Sequence, residues 1–300
     1  MWKLARIGLL IAMSAAAALL SGPVALAQPS AGSPAPETVC GSPLSAAELD
    51  TIARLSNTGD LTGDALQRLT IAVERNHEIT EILIAHRDRR GLFGIGLDGV
   101  EQAAVMPLQN DPGAFHDREY AHAISLELLS RYLNNLHAAF TGGTVEPHWA
   151  RYFELAGDCT VSGAQAAMAG YSAHLAVDLA YSIAAVHTRP DNADDYFKIV
   201  AAIAGAGEVI VDRTKEVYQA DLGPLWRFYF FGEGLDLLLG KGVATKPLLV
   251  AADLGANVVI FGNGLALQDP VLHDPTVLEI QALTAAADVA FGVLAQLRAL

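Results

Sequence analysis

The sequence predicts an all-α fold, a multi-helix bundle arranged around one central buried helix at about residues 162–187. Three observations carry that expectation. Apolar residues recur at helical spacing in several segments. Ser45-Ala-Ala-Glu48 and Ser162-Gly-Ala-Gln165 have the pattern of a capping box, which opens a helix. Between Asp158 and Arg189 the only Asp, Glu, Lys, Arg or His residues are His174, Asp178 and, near the end, His187, and such a run must be buried.

The elements follow in order. Met1-Trp-Lys3-Leu-Ala-Arg6 leads into an apolar run from Ile7 to Leu20, broken by Gly22-Pro23 and followed by Ala25-Leu-Ala27. This is the layout of a secretory signal over residues 1–27, and it places the mature chain outside the cell or in the periplasm and cell envelope. Residues 28–43, rich in Pro, Ser, Gly and Ala, read as a disordered leader. A single helical domain is expected over 44–300, starting at the Ser45 box. A long helix is expected from Gly63 to Arg90, where Leu66, Leu69, Val73, Ile79, Ile82 and Leu83 share a face.

Gly91 to Gly113 reads as a flexible glycine loop. Within it Gly94-Ile-Gly96-Leu-Asp-Gly99 matches G-x-G-x-x-G, but a dinucleotide site needs a buried strand before it, and here the charged run His86-Arg-Asp-Arg-Arg90 stands instead. Helices are expected at 116–140, around Trp149, Tyr152 and Phe153, at 162–186, at 192–215 and at 276–300. The segment 216–275 is read as helical, although 248–252 and 257–261 have the composition of short strands. The central helix is long enough to cross a bilayer, yet Gln165, His174 and Asp178 make it a poor span, and the mature chain is not expected to be an integral membrane protein.

The formal net charge of −14 becomes −16 without the signal, because Lys3 and Arg6 leave and residues 1–27 hold no Asp or Glu. So acidic a surface repels phosphate backbones and disfavours nucleic acid as a partner. Cys40 and Cys159 are an even pair in an oxidising compartment, and a disulfide between them is expected.

His174 and Asp178 stand one helical turn apart, so a regular helix puts them on one face. Three chemistries compete for them. A structural lock would have Asp178 accept hydrogen bonds from His174 and from a tyrosine, Tyr171 or Tyr181. A metal site would take His174 and Asp178 as two ligands of a divalent ion, zinc first, and draw the rest from a neighbouring helix. The candidates there are Asp117 as the third ligand, with His137 or His122 as the catalytic proton shuttle; His187 is turned away from that face. A serine nucleophile at Gly170-Tyr-Ser172-Ala-His174 would need a strained strand-to-helix turn, which a helix interior does not offer.

Gly170-Tyr-Ser-Ala-His174-Leu-Ala-Val-Asp178-Leu179, with Phe115-His-Asp117, Tyr132-Leu-Asn-Asn-Leu136 and Trp149-Ala-Arg-Tyr-Phe153, resembles the Gly-x-x-Ala-His-x-x-x-Asp-Leu signature of a mainly actinobacterial, uncharacterised family of helical proteins. The resemblance implies no activity, but it singles out Asp117 because Phe115-x-Asp117 belongs to the matched pattern. A looser similarity to all-helical zinc phospholipases and nucleases rests on their buried His-x-x-x-Asp helix, while their further histidines and second His/Glu pair have no counterpart here. The expected function is a secreted metal-dependent hydrolase of an ester or phosphoester, with a lipid-like substrate among the candidates. The alternative is a non-catalytic secreted protein that binds a hydrophobic ligand or partner, with His174 and Asp178 as a lock.

Overall fold

The structure, a computed structural model, describes residues 40–222 and 245–296, all of which fall within one unit, 31–300. The expected signal at 1–27, most of the expected leader at 28–43 and residues 223–244 of the 216–275 segment lie outside the described residues. Those described are helical, with no strand among them, so the all-α expectation holds. The segments 248–252 and 257–261 lie inside one helix, Thr245–Ala266.

Local sequence sets the helix ends. Helix α1 (Ala46–Ser56) opens on a complete capping box between Ser45 and Glu48. Helix α2 (Ala65–His86) has the same device between Asp64 and Gln67, and it closes where Arg87 turns left-handed at φ 50°. The Gly63–Arg90 expectation therefore shrinks by a few residues at each end. The backbone before α2 needs glycine, because Gly63 sits at φ 106°.

Residues 91–113 depart from the expected loop. They fold as helix α3 (Gly94–Val100), a π-helical turn (Glu101–Val105) and helix α4 (Met106–Asn110). All seven residues of α3 are buried. Its glycines serve close approach: a Cβ on Gly99 would come within 2.8 Å of Val209, and one on Gly94 within 2.9 Å of the Tyr132 hydroxyl. Glycine lowers helix propensity in an isolated segment, but here tertiary packing of neighbouring chain segments against the bare backbone overrides it.

Helix α5 (Arg118–Thr141) is capped by Asp117 and ended by left-handed Gly142. Helix α6 (Pro147–Gly157) starts with proline in its first turn. Helix α7 (Gly163–Ser172) has Ser162 as its cap, accepting from Gln165 N, with the return bond of a full box missing. The expected central helix continues from α7 through a π-helical turn (Ala173–Asp178) into α8 (Leu179–Ala185). Helices α9 (Ala193–Gly205), α10 (Gly207–Tyr218), α11 (Thr245–Ala266) and α12 (His273–Gln296) complete the described chain. Over His273–Val293, α12 is long and apolar enough to cross a membrane.

The largest core cluster joins α1, α2, α3, α5, α6 and α7. At its centre the Phe93 ring meets Tyr132, Trp149, Tyr171 and His174 with centroids 4.9 to 5.2 Å apart. Tyr152 ties α6 to the turn before α3: its hydroxyl accepts from Phe93 N at 3.1 Å and donates to Arg90 O at 2.8 Å. In that turn Asp88 and Arg90 form a buried two-pronged ion pair, with bonds of 2.9 and 2.5 Å. A disulfide joins Cys40 to Cys159, as the even cysteine pair predicts, and anchors the chain before α1 to the turn after α6.

Candidate functional site

Asp178 ends the second π-helical turn and is completely buried. A buried carboxylate needs partners, and two consecutive residues of α6 supply them. Trp149 Nε1 donates to Asp178 Oδ2 at 2.8 Å, and His148 Nε2 lies 2.9 Å from Oδ1. Pro147 starts α6 at a fixed angle, so His148 and Trp149 both face the central helix from the first turn.

Glu146, the residue before that proline, completes the cluster: its Oε2 is 3.4 Å from His148 Nε2. It is held by a reciprocal clamp, donating from its backbone N–H to Asn135 Oδ1 at 2.8 Å while its carboxylate accepts from Asn135 Nδ2 at 3.2 Å. One ligand atom from each of Glu146, His148 and Asp178 lies within 4.8 Å of the others. The three run from a half-exposed glutamate through a mostly covered histidine to a sealed aspartate.

His174 is in contact with this group without bonding to it. Its Nδ1 is 3.9 Å from Asp178 Oδ2, beyond hydrogen-bond range, and has no other hydrogen-bond partner. A π turn carries i→i+5 bonds and is wider than a regular turn, which spreads a pair four residues apart. Burial pushes the His174 pKa down to about 4, with nearby Asp178 pulling the other way, so the ring is neutral at pH 7.

The structure brings His174 and Asp178 together, and it does not bring Asp117, His122 or His137 to them. Asp117 caps α5, accepting from Tyr120 N at 3.0 Å, and ties that end to the loop after α8 through Asn192 at 3.2 Å and Arg189 at 3.3 Å. Those contacts hold its carboxyl below the usual range, the Tyr120 backbone bond foremost. His122 Nε2 meets the carbonyl of Gln109 at 3.2 Å, and His137 Nδ1 meets that of Ala53 at 2.8 Å. Each therefore fastens one helix to another. Glu146 and His148 are absent from the sequence-based candidates; the signal for them is their position just ahead of the Trp149-Ala-Arg-Tyr-Phe153 block.

A second group, His77, Glu81 and Asp98, has donor atoms equally close. Arg213 already supplies the cation there, with its guanidinium 2.7 Å from Asp98 Oδ2 and 3.7 Å from Glu81. No arginine or lysine is paired with Glu146 or Asp178 among the described residues. An apolar recess of about 70 Å3 lies between α5, the central helix, α9 and α11, lined by residues such as Ile124, Leu175, Ile199 and Val200.

A family model described as "Family of unknown function (DUF5995)" matches residues 71–237. No curated protein and no solved structure matches the chain.

Proposed function

The chain belongs to the DUF5995 family of unknown function, and we propose that it is a secreted, divalent-metal-dependent hydrolase of an ester or phosphoester whose ion is held by Glu146, His148 and Asp178. One observation carries this reading. Asp178 Oδ1, His148 Nε2 and Glu146 Oε2 stand 2.9 and 3.4 Å apart in succession, with no arginine or lysine paired to either carboxylate among the described residues. Ligand atoms of a tetrahedral zinc site with bonds of about 2.0–2.2 Å are separated by about 3.4 Å, so the donors need little movement to close on one ion. Trp149 occupies only Oδ2 and leaves Oδ1 to His148, so both of those donors could turn to an ion.

Glu146, His148 and Asp178 would hold the ion and leave a position for water, whose pKa the ion would lower toward neutrality. In the hydrolysis this supports, the water oxygen would bond to the carbonyl carbon or the phosphorus as the bond from that atom to the ester oxygen breaks, and the proton lost by the water would pass through solvent to the leaving alcohol. His122 and His137 take no part. The disulfide suits an oxidising compartment and supports export.

The competing reading, a non-catalytic protein with a structural lock, is favoured by the Trp149–Asp178 hydrogen bond inside the aromatic core. The test is zinc, iron and manganese content per chain of the untagged mature protein, for wild type, His148→Ala and Trp149→Phe. Near-stoichiometric metal lost in His148→Ala and kept in Trp149→Phe supports the site. No metal in wild type, even after incubation with zinc, sinks it, and a loss of stability in Trp149→Phe alone then favours the lock.

A further inference from the structure

Arg131 lies one helical turn before Asn135 on α5, and Asn135 binds both the Arg131 carbonyl, at 3.0 Å, and the Glu146 carboxylate, at 3.2 Å. The guanidinium carbon sits 5.8 Å from the centroid of the Tyr181 ring. Tyr181 in turn follows Asp178 by three residues on the central helix, and its hydroxyl lies within reach of the charges of both Arg131 and Glu146, which places the Arg131–Tyr181 pair beside the group.

The guanidinium is incompletely paired. Its Nη2 meets Glu127 at 2.8 Å, one turn back on the same helix, while its Nε is buried and has no hydrogen-bond partner. Nε is sealed from solvent, so an arriving anion would meet the partly exposed guanidinium through its Nη groups, where a charge-assisted hydrogen bond to an anionic oxygen is stronger than one to a neutral acceptor. Tyr181 can add a donor: partial burial and the nearby Glu146 raise its hydroxyl pKa, against the lowering effect of Arg131, so the proton stays on at pH 7.

We propose that Arg131 and Tyr181 form an anion-recognition subsite beside the metal group, and that the substrate is accordingly a phosphoester rather than a carboxylic ester. The inference rests on the metal reading for its chemistry, but the subsite itself is defined by residues that hold no ion. A bound carboxylic ester is neutral, with charge only on the oxyanion that forms during attack, whereas a phosphoester is already anionic when it binds. Its non-bridging oxygens, two in a diester and three in a monoester, can be shared between the ion and Arg131. During hydrolysis the water oxygen would bond to phosphorus as the bond from phosphorus to the leaving oxygen breaks, the proton lost by the water would pass through solvent to that leaving oxygen, and Arg131 would balance charge on the non-bridging oxygens.

The test is calorimetric titration of inorganic phosphate into zinc-loaded and into zinc-free mature protein, with sulfate at matched ionic strength as a control. Wild type is compared with Arg131→Ala, Arg131→Lys and Tyr181→Phe, and zinc content is measured for each. The expected result is phosphate binding weakened about tenfold or more in Arg131→Ala and partly in Arg131→Lys, which keeps the charge but loses the fork, with zinc content unchanged. Tyr181→Phe, which keeps the ring, should weaken it by a smaller factor. Zinc-loaded Arg131→Ala that binds phosphate as wild type does would overturn the proposal, as would the absence of phosphate binding to wild type. If wild type takes no zinc, the metal reading fails by itself, and Arg131-dependent phosphate binding to the zinc-free protein would still uphold the subsite.

Discussion

The neutral imidazole of His174 gives the protein a defined response to acid. Its pKa falls from 6.5 to about 4 because the ring is buried, and the Phe93 ring packs against it at 4.9 Å. In the unfolded chain the same group titrates near 6.5. Between those values the unfolded state binds a proton that the folded state refuses, so stability rises with pH across that window and is lost as pH falls through it. Above pH 6.5 both states are neutral and the contribution is constant. A tenfold difference in proton affinity between the two states is worth about 1.4 kcal/mol, so the full loss by pH 4 is of order 3 kcal/mol. The perturbation is His174→Gln, which removes the titrating group. The assay is urea unfolding of metal-free wild type and variant at a series of pH values from 7.5 to 4, reading the difference in unfolding free energy. The difference should be flat above about 6.5 and then move against wild type as pH falls. A difference that stays flat down to pH 4 would refute the argument and show that the ring reaches water or finds an acceptor when protonated.

Three further outcomes follow from the same core. Burial raises the Glu101 carboxyl well above 4.5, against the Asn76 hydrogen bond, so the folded state keeps a proton that the unfolded state releases and stability falls as pH rises past 4.5; Glu101→Gln should be more stable than wild type at pH 7 in urea unfolding and lose that advantage below pH 4.5, and equal stability at pH 7 would contradict this. Gly96→Ala should destabilise by about 1–3 kcal/mol, because the new Cβ meets the Tyr171 hydroxyl and comes within 3.0 Å of Ile210, whereas Gly157→Ala meets nothing within 4 Å; equal urea midpoints for the two variants would mean that α3 is not packed in this way. Replacing Cys40 and Cys159 by serine opens a link spanning 119 residues, with an expected loss of about 4 kcal/mol in denaturant unfolding; unchanged stability would place that constraint outside the cooperative unit.

What the sequence disclosed of the fold depended on whether the signal was local. Capping at Ser45 is a contact between residues three apart, so the helix behind it starts where the cap says it should, while Asp64 caps α2 in the same way and that helix starts two residues inside the span expected from Gly63. The glycines of α3 are a different case. Gly94, Gly96 and Gly99 look like loop residues because nothing nearby in sequence explains them, and their reason lies on Tyr132, Tyr171 and Val209, far along the chain. Glycine that frees the backbone and glycine that makes room for a neighbour are spelt the same way, and only the tertiary contact separates them.

The candidate site divides along the same line. The need of Asp178 for a partner was legible, since a carboxylate amid alanine, leucine and valine must be satisfied. The identity of the partner was not, because a regular helix would have given it to His174. The π turn moves that ring to 3.9 Å and out of bonding, and the carboxylate goes to His148 and Trp149 instead. Asp117 misled for a related reason: its short carboxylate before a helix serves as a cap, a use as common for aspartate as ligation. The π turn thus decides the partners of Asp178. A regular turn would let His174 and Asp178 satisfy each other and close the pair in the core, whereas the wider one leaves Oδ1 to His148, which also meets half-exposed Glu146; in the proposed metal reading that chain of side chains is the route from the surface to the buried carboxylate.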